Sequence, residues 1–348
     1  MNAQRVLYTD PAWLVADGRQ DLSLATVERD VLGDGVELLT APHEDGRYVL
    51  TDDRLLERAA GADALVVYRC QVTDALLDAA GDGLRVVVRQ GVGVDNLNAG
   101  LLAERGLPGF NVPDYCVDEV AVHTSALALA LERHVVPQHV TLTGGTFDIY
   151  AGGAPRRVSR RTLGIVGFGR IGRAVARKLG TFYGQVLVYD PYIGRDLAEG
   201  YGARTVDTLE ELLAESDLVT LHCPLTPGTE GLIGEAELRT MKSDAFLVNA
   251  ARGKLIDPEA LGKALDEGTI AGAGLDVFAP ENPNQDPRWK PVLDHPHSVF
   301  TSHRAFLSEE AEASSRRRVA ELVRDALAGD PALLAGRVGR VLPDGAAR

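Results

Sequence analysis

Along this chain, short apolar runs of strand length alternate with segments whose apolar residues recur at helical spacing. The runs RVLYTD, GVELLT, ADALVVY and LRVVV fall within roughly the first 110 residues. Between them lie segments 22–31, 51–60 and 73–79, which read as helices. Asp52, Asp53, Thr73 and Asp74 supply the side-chain acceptors that favour helix starts. Strand alternating with helix predicts a mostly parallel sheet covered on both faces.

A second series begins at Leu163, with strands expected in LGIVG, QVLVYD, DLVTLHC, DAFLVNA, AGAGLDVF and SVFTSH. Helical segments at 169–182, 208–214, 234–238 and 257–267 alternate with them, enough for one doubly wound sheet. Residues 117–136 read as a single unbroken helix, long enough to bridge two domains. Residues 144–161, poor in apolar residues and holding Arg156, Arg157, Arg160 and Arg161, read as an irregular surface segment. Two readings of those arginines stay open: plain surface charge, or pairing with acids across a subunit contact. A last helix, 308–327, follows the final strand and is expected to return to the first domain, with Arg316, Arg317 and Arg318 on a solvated face. The tail beyond it is expected to be loose.

Composition narrows the class. A length of 348 residues fits two domains, and 5% aromatic content implies aliphatic cores. The formal charge of −14 gives no positive field for tracking a nucleic-acid backbone. No apolar stretch reaches 18 residues and the chain does not open on a signal-like run, so no membrane partner is expected and the cytoplasm is the default location. Cys70, Cys116 and Cys223 are odd in number and far apart, which argues against a disulfide framework or a zinc site. His123, His134 and His139, and the pair His295 and His297, lack a metal-ligand pattern, so no metal is expected.

The most informative stretch is LGIVGFGRIG, which places Gly167, Gly169 and Gly172 in a GxGxxG pattern between an apolar strand and the helix RIGRAVARKL. That is the context a dinucleotide needs. Gly167 permits the tight turn, Gly169 lets a pyrophosphate approach the backbone, and Gly172 lets helix and strand pack closely. The helix start, with Arg170 and Ile171, offers free N–H groups and the positive dipole end to phosphate. Asp190 ends the next strand, 18 residues beyond Gly172, where a carboxylate bonds ribose hydroxyls and repels a 2′-phosphate. NAD is therefore expected over NADP, with Arg195 nearby as the one contrary feature.

Three further polar residues follow three expected strands of this unit: Arg252 after DAFLVNAA, Glu281 after GLDVFAP and His303 after SVFTS. In a parallel sheet the strand ends share one rim, so these residues can meet. Histidine suits proton transfer near neutral pH, a neighbouring carboxylate orients it, and arginine grips a substrate carboxylate as a planar fork. Together they describe hydride exchange between a 2-hydroxy acid and a 2-oxo acid.

The stretches GVGVDNLNAGLLAERG, GIVGFGRIGRAVARKL, HCPLTPGTEGLIGEAELRTMKSDAFLVNAARGKLID, GAGLDVFAPE and TSH resemble the D-isomer-specific 2-hydroxyacid dehydrogenases over nearly the whole chain. RQGVGVDN, NVPDYCVDEVAVHT and VYDPY are most similar to bacterial members related to the C-terminal-binding protein branch. The resemblance implies an α/β fold in which a Rossmann NAD-binding domain, 116–304, is inserted into a flavodoxin-like substrate-binding domain, 1–115 and 305–348. It implies Arg252 as the substrate clamp, His303 as acid/base, and Glu281 as its partner. Asp276 would position the nicotinamide carboxamide. His222, Cys223, Pro224, Thr229, Asn249, Ala250, Thr124 and His303 would line the cofactor. Val92 and Gly93 would meet the substrate carboxylate through their backbone, with Arg89 as an extra contact.

The sequence departs from the family at three places. YRCQVT does not allow a substrate role to be carried to Arg69, Glu281 is followed by Asn282 and Pro283, and Ser302 precedes His303, with Arg304 after it. Arg304 leaves two readings open, a surface position or a site for a second anionic group on the substrate. A homodimer is implied. The alternatives carried forward are an NAD(H)-sensing corepressor-like protein and a phosphite- or phosphoglycerate-type dehydrogenase.

Overall fold

Strands β1 (Gln4–Tyr8), β2 (Val36–Thr40), β3 (Ala64–Val67), β4 (Val86–Arg89) and β5 (Gly109–Phe110) form one parallel sheet in the order β2-β1-β3-β4-β5. The register pairs Val6 with both Leu38 and Ala64. Strands β3 and β4 are buried at every position, as runs without alternation should be when helices cover both faces. On one face, Leu55, Leu76 and Leu77 of helices Asp53–Ala59 and Asp74–Ala80 pack against Leu65 and Val87. On the other, Val319, Leu322 and Val323 of helix Glu309–Leu327 pack against Val66 and Val88.

The computed structural model describes residues 3–335 and 339–341. Two units emerge, Met1–Tyr115 with Ser308–Arg348, and Cys116–Leu307. The first holds the sheet just described, and its strand order is the flavodoxin-like one. An antiparallel strand, Arg340–Val341, closes the β5 edge, so this part of the tail is ordered by pairing. The looseness expected of the remaining tail concerns residues 342–348, which lie outside the described residues.

The second unit is a seven-stranded sheet of β6 (Thr162–Val166), β7 (Gln185–Tyr189), β8 (Arg204–Thr205), β9 (Leu218–Leu221), β10 (Phe246–Asn249), β11 (Gly272–Leu275) and β12 (Val299–Phe300). All are parallel, in the order β8-β7-β6-β9-β10-β11-β12. The order reverses between β6 and β9, which is the switch point where a Rossmann sheet opens a crevice at its strand ends.

Three expectations need correction. The helix expected over 117–136 stops at Glu132, because His134 adopts a left-handed φ of 52° and a separate helix, Val135–Thr143, begins after it. Arg161 is not a surface arginine. It is 5% exposed, donates to the carbonyls of Asp217 and Asp244, and pairs with Glu132 at 3.2 Å. Nor is Arg316 on a solvated face: its guanidinium forks onto buried Glu28 at 2.9 and 2.7 Å. Such a bidentate pair ties the returning helix to helix Thr26–Leu32 within the first unit. Arg317, paired with Asp30, does stay half-exposed.

None of the three cysteines is in a disulfide, and Cys70 and Cys116 are buried. Among the described residues, no helix is long and apolar enough to cross a membrane, and no cluster of three or more His, Cys, Asp or Glu is placed to hold a metal.

Candidate active site

The glycine-rich turn leaves β6 at Gly167, whose φ of +89° suits glycine. A Cβ on Gly172 would stand 2.2 Å from the Gly167 carbonyl oxygen, so only glycine lets helix Arg170–Lys178 sit this close to the strand. Gly169 caps that helix without a side chain, and nothing lies within 4 Å of where its Cβ would be. The open space and the uncapped helix start, with Arg170 exposed and Ile171 half-buried, fit a phosphate group. At the end of β7, Asp190 is fixed by two amides: Phe168 N–H donates at 2.7 Å and Tyr192 N–H at 2.9 Å. Both oxygens of the carboxylate are thus held by the chain at the end of β7. Arg195, the contrary feature, is paired with Asp207 at 2.7 Å and exposed.

Past β9 come His222, Cys223 and Pro224. His222 Nε2 lies 3.0 Å from Thr220 Oγ1, and burial pushes its pKa down to about 3, so it is neutral at physiological pH. Thr229 donates to the Pro224 carbonyl at 2.7 Å and thereby closes this loop. Thr124, on helix Val117–Glu132, is fully buried, and its Oγ1 has no hydrogen-bond partner among the described residues. A buried hydroxyl without a protein partner fits a polar group of a ligand. The donor set, the open cradle and this hydroxyl together fit a dinucleotide.

The candidate catalytic residues follow β10, β11 and β12, three neighbouring strands registered Asn249 to Leu275 to Phe300. Asn249 closes the first of these turns: its side chain donates to the Arg252 carbonyl at 2.8 Å and accepts from Ala251 N–H at 3.0 Å. Half-buried Ala250 lies inside that turn. Arg252 is half-buried and its Nη1 donates to the Ala251 carbonyl at 2.8 Å. A Cβ on Gly253 would stand 2.1 Å from the Phe278 carbonyl carbon, so the arginine turn presses directly on the segment that leads to Glu281. Glu281 Oε1 in turn accepts a hydrogen bond from His303 Nδ1. With Nδ1 occupied, Nε2 is the atom left to exchange a proton.

Asp276 holds this arrangement together. Its carbonyl accepts from His303 N–H at 2.7 Å, while its carboxylate accepts from Arg304 N–H at 3.0 Å and Ala305 N–H at 2.9 Å. Three successive amides therefore converge on one residue. His303 has a left-handed φ of 51°, a state costing a non-glycine residue on the order of 1 kcal/mol or more, and this clamp over-determines it. Burial pushes the Asp276 carboxyl upward, but bonds from His123, Thr301 and the two amides outweigh burial and bring its pKa down to about 2. The carboxylate is wholly buried and occupied by its own chain, so the structure gives it a holding role that the sequence reading did not foresee. His123, set aside as a metal ligand, contacts Thr301 Oγ1 at 2.8 Å and is the second residue that reading missed. It lies in the stretch NVPDYCVDEVAVHT, but nothing in that stretch assigns it a role. The exposed side chain of Arg304 flanks the clamp.

In the first unit, the loop after β4 carries Val92 and Gly93, both half-exposed. Asn111 holds the Val92 carbonyl at 2.6 Å. The Arg89 guanidinium folds against Gly91, and Arg89 and Arg69 lie 5.8 and 5.7 Å from the Tyr68 ring centroid. Buried Asp10 pairs with Arg69 at 3.1 Å.

A family model described as "D-isomer specific 2-hydroxyacid dehydrogenase, NAD binding domain" matches residues 125–305. A D-3-phosphoglycerate dehydrogenase of Methanocaldococcus jannaschii is 38% identical over 284 residues, covering 81% of this chain and 53% of that protein. One from Mycobacterium tuberculosis is 36% identical over 322 residues, covering 92% of this chain and 57% of that protein. This chain thus spans little more than half the length of those relatives. The crystal structure of D-lactate dehydrogenase from Aquifex aeolicus, complexed with NAD and lactic acid, superposes with a TM-score of 0.83 at 26% identity. It covers 97% of this chain and 99% of that one.

Proposed function

The chain belongs to the D-isomer specific 2-hydroxyacid dehydrogenase family, with the family's NAD-binding domain matched over residues 125–305, and we propose that it interconverts a 2-oxo acid and a D-2-hydroxy acid with NAD(H). The observation that carries this reading is the contact between His303 Nδ1 and Glu281, on the same sheet rim as the open glycine turn. When bound, the nicotinamide supplies the hydride. Arg252 presents its fork to the substrate carboxylate. His303 delivers a proton from Nε2 to the oxygen on C2, and Glu281 offsets the imidazolium charge as the ring is loaded. In the reverse direction neutral His303 takes that proton back. Thr124, His222, Cys223, Pro224, Thr229, Asn249 and Ala250 are the proposed lining of the cofactor. Val92, Gly93 and Arg89 are the proposed substrate contacts of the first unit.

The exposed guanidinium of Arg304, one residue after His303, supports a substrate with a second anionic group. The RQGVGVDN and NVPDYCVDEVAVHT stretches support the branch related to C-terminal-binding proteins. A homodimer is supported by apolar side chains exposed in one segment of the second unit, among them Phe147 at 85% and Ile149 at 71%. Three cysteines outside any disulfide favour a reducing compartment such as the cytoplasm.

Oxidation of NADH is to be followed with glyoxylate, pyruvate and phosphohydroxypyruvate. Turnover with at least one acid is expected, fastest with a doubly anionic one. Tight NADH binding with no turnover on any acid would instead select the sensor reading. Light scattering of the purified chain checks the dimer, which Phe147→Asp should split.

A further inference from the structure

His303 is aimed by a loop, yet the last donor in its support comes from a helix far away in sequence. Asp276 Oδ1 accepts from Arg304 N–H and from the Thr301 hydroxyl. A threonine hydroxyl has one proton, and here it is committed to Asp276. The contact of 2.8 Å between Thr301 Oγ1 and His123 Nε2 must therefore be donated by the imidazole. That fixes the proton on Nε2 of His123, which also lies 3.5 Å from Asp276 Oδ1. His123 stands 178 positions before Thr301 in sequence, on the 16-residue helix Val117–Glu132. The next residue on that helix is Thr124, whose buried hydroxyl has no partner among the described residues.

We infer that His123 is a positioning residue for the acid/base histidine, acting through Thr301 and Asp276. This rests on the reading of His303 as acid/base. The imidazole N–H holds the Thr301 oxygen, which keeps the hydroxyl proton on Asp276. Asp276 then holds the amides of residues 304 and 305, and its carbonyl holds that of 303. Removing the first donor frees the Thr301 hydroxyl to rotate, and the loop bearing His303 loosens. Small misplacement of a proton donor lowers turnover without weakening the binding of groups held elsewhere on the rim.

The test compares His123→Phe, which keeps a ring without a donor, and His123→Gln, which restores an N–H of similar reach. Kinetics on the best 2-oxo acid and hydrogen exchange of the segment 299–307 are read together. For His123→Phe, kcat should fall about tenfold or more, KM for NADH should stay within about twofold, and amides 303–305 should exchange faster. His123→Gln should recover most of both losses. Wild-type exchange in His123→Phe overturns the inference, as does a kcat loss that His123→Gln fails to restore. If wild-type protein reduces no acid at all, the activity reading fails, and the exchange comparison alone decides the role of His123. Should His123→Phe not fold, His123→Asn, whose amide falls short of Thr301, takes its place with the same outcomes.

Discussion

Along one rim of the second unit, the turns after β6, β7 and β9 hold Gly167, Gly169, Asp190 and His222, while those after β10, β11 and β12 hold Arg252, Asp276, Glu281 and His303. The first group is shaped by backbone: an open cradle at Gly169, a helix start without a side-chain cap, and an aspartate pinned by two amides. The second is shaped by side chains that brace one another, with a left-handed histidine at the centre. Recognition of a large anion needs shape and a dipole, both of which a short contiguous motif can encode. Proton transfer needs one atom held in one direction, and that takes several residues from separate segments.

His303→Ala should lower kcat by about a thousandfold while the NADH dissociation constant stays within about threefold. Titration of NADH fluorescence checks the second half, and parallel losses in both would merge the two halves of the rim. Gly172→Ala should act in the opposite sense. Its Cβ would stand 2.2 Å from a backbone oxygen, so overpacking of about 1–3 kcal/mol should appear in urea unfolding, together with weaker NADH binding.

Asp276→Asn probes the brace through pH. The folded-state pKa of Asp276 is lowered from 3.8 to about 2, so its contribution is complete above 3.8 and is lost as pH falls through 2. A shift of that size corresponds to about 2 kcal/mol. The variant should be less stable than wild type at neutral pH, and the gap should close in acid. A gap unchanged across that range would show that the carboxylate charge is not what holds residues 303–305. The smallest effect is expected at Gly169→Ala. Nothing lies within 4 Å of the new methyl group, so stability should change by less than about 0.5 kcal/mol while NADH binding weakens several-fold. Equal NADH affinity would remove Gly169 from the cradle.

Most of the strands were legible because both sheets are buried on both faces, which gives apolar runs bounded by turns. The two-residue strands β5, β8 and Arg340–Val341 leave no such trace, whereas β12, equally short, lies in SVFTSH. The break at His134 was hidden because a single left-handed residue interrupts the helix, and Pro137 stands past the break, in the first turn of the next helix. Arg316 was misread because its partner, Glu28, lies 288 positions away. In the site, the glycine turn and the Arg, Glu and His positions followed from spacing and strand order. The holding role of Asp276 and the contact of His123 did not, since each depends on which donors a fold happens to bring within about 3 Å.

Gly253 has a consequence for engineering. Because the arginine turn rests on the Phe278 backbone, with no room for even a methyl group, the turn and the neighbouring strand exit form one transplantable module. Grafting Arg252 onto another scaffold without both pieces would move the guanidinium with the displaced loop, whatever residue was written at its position.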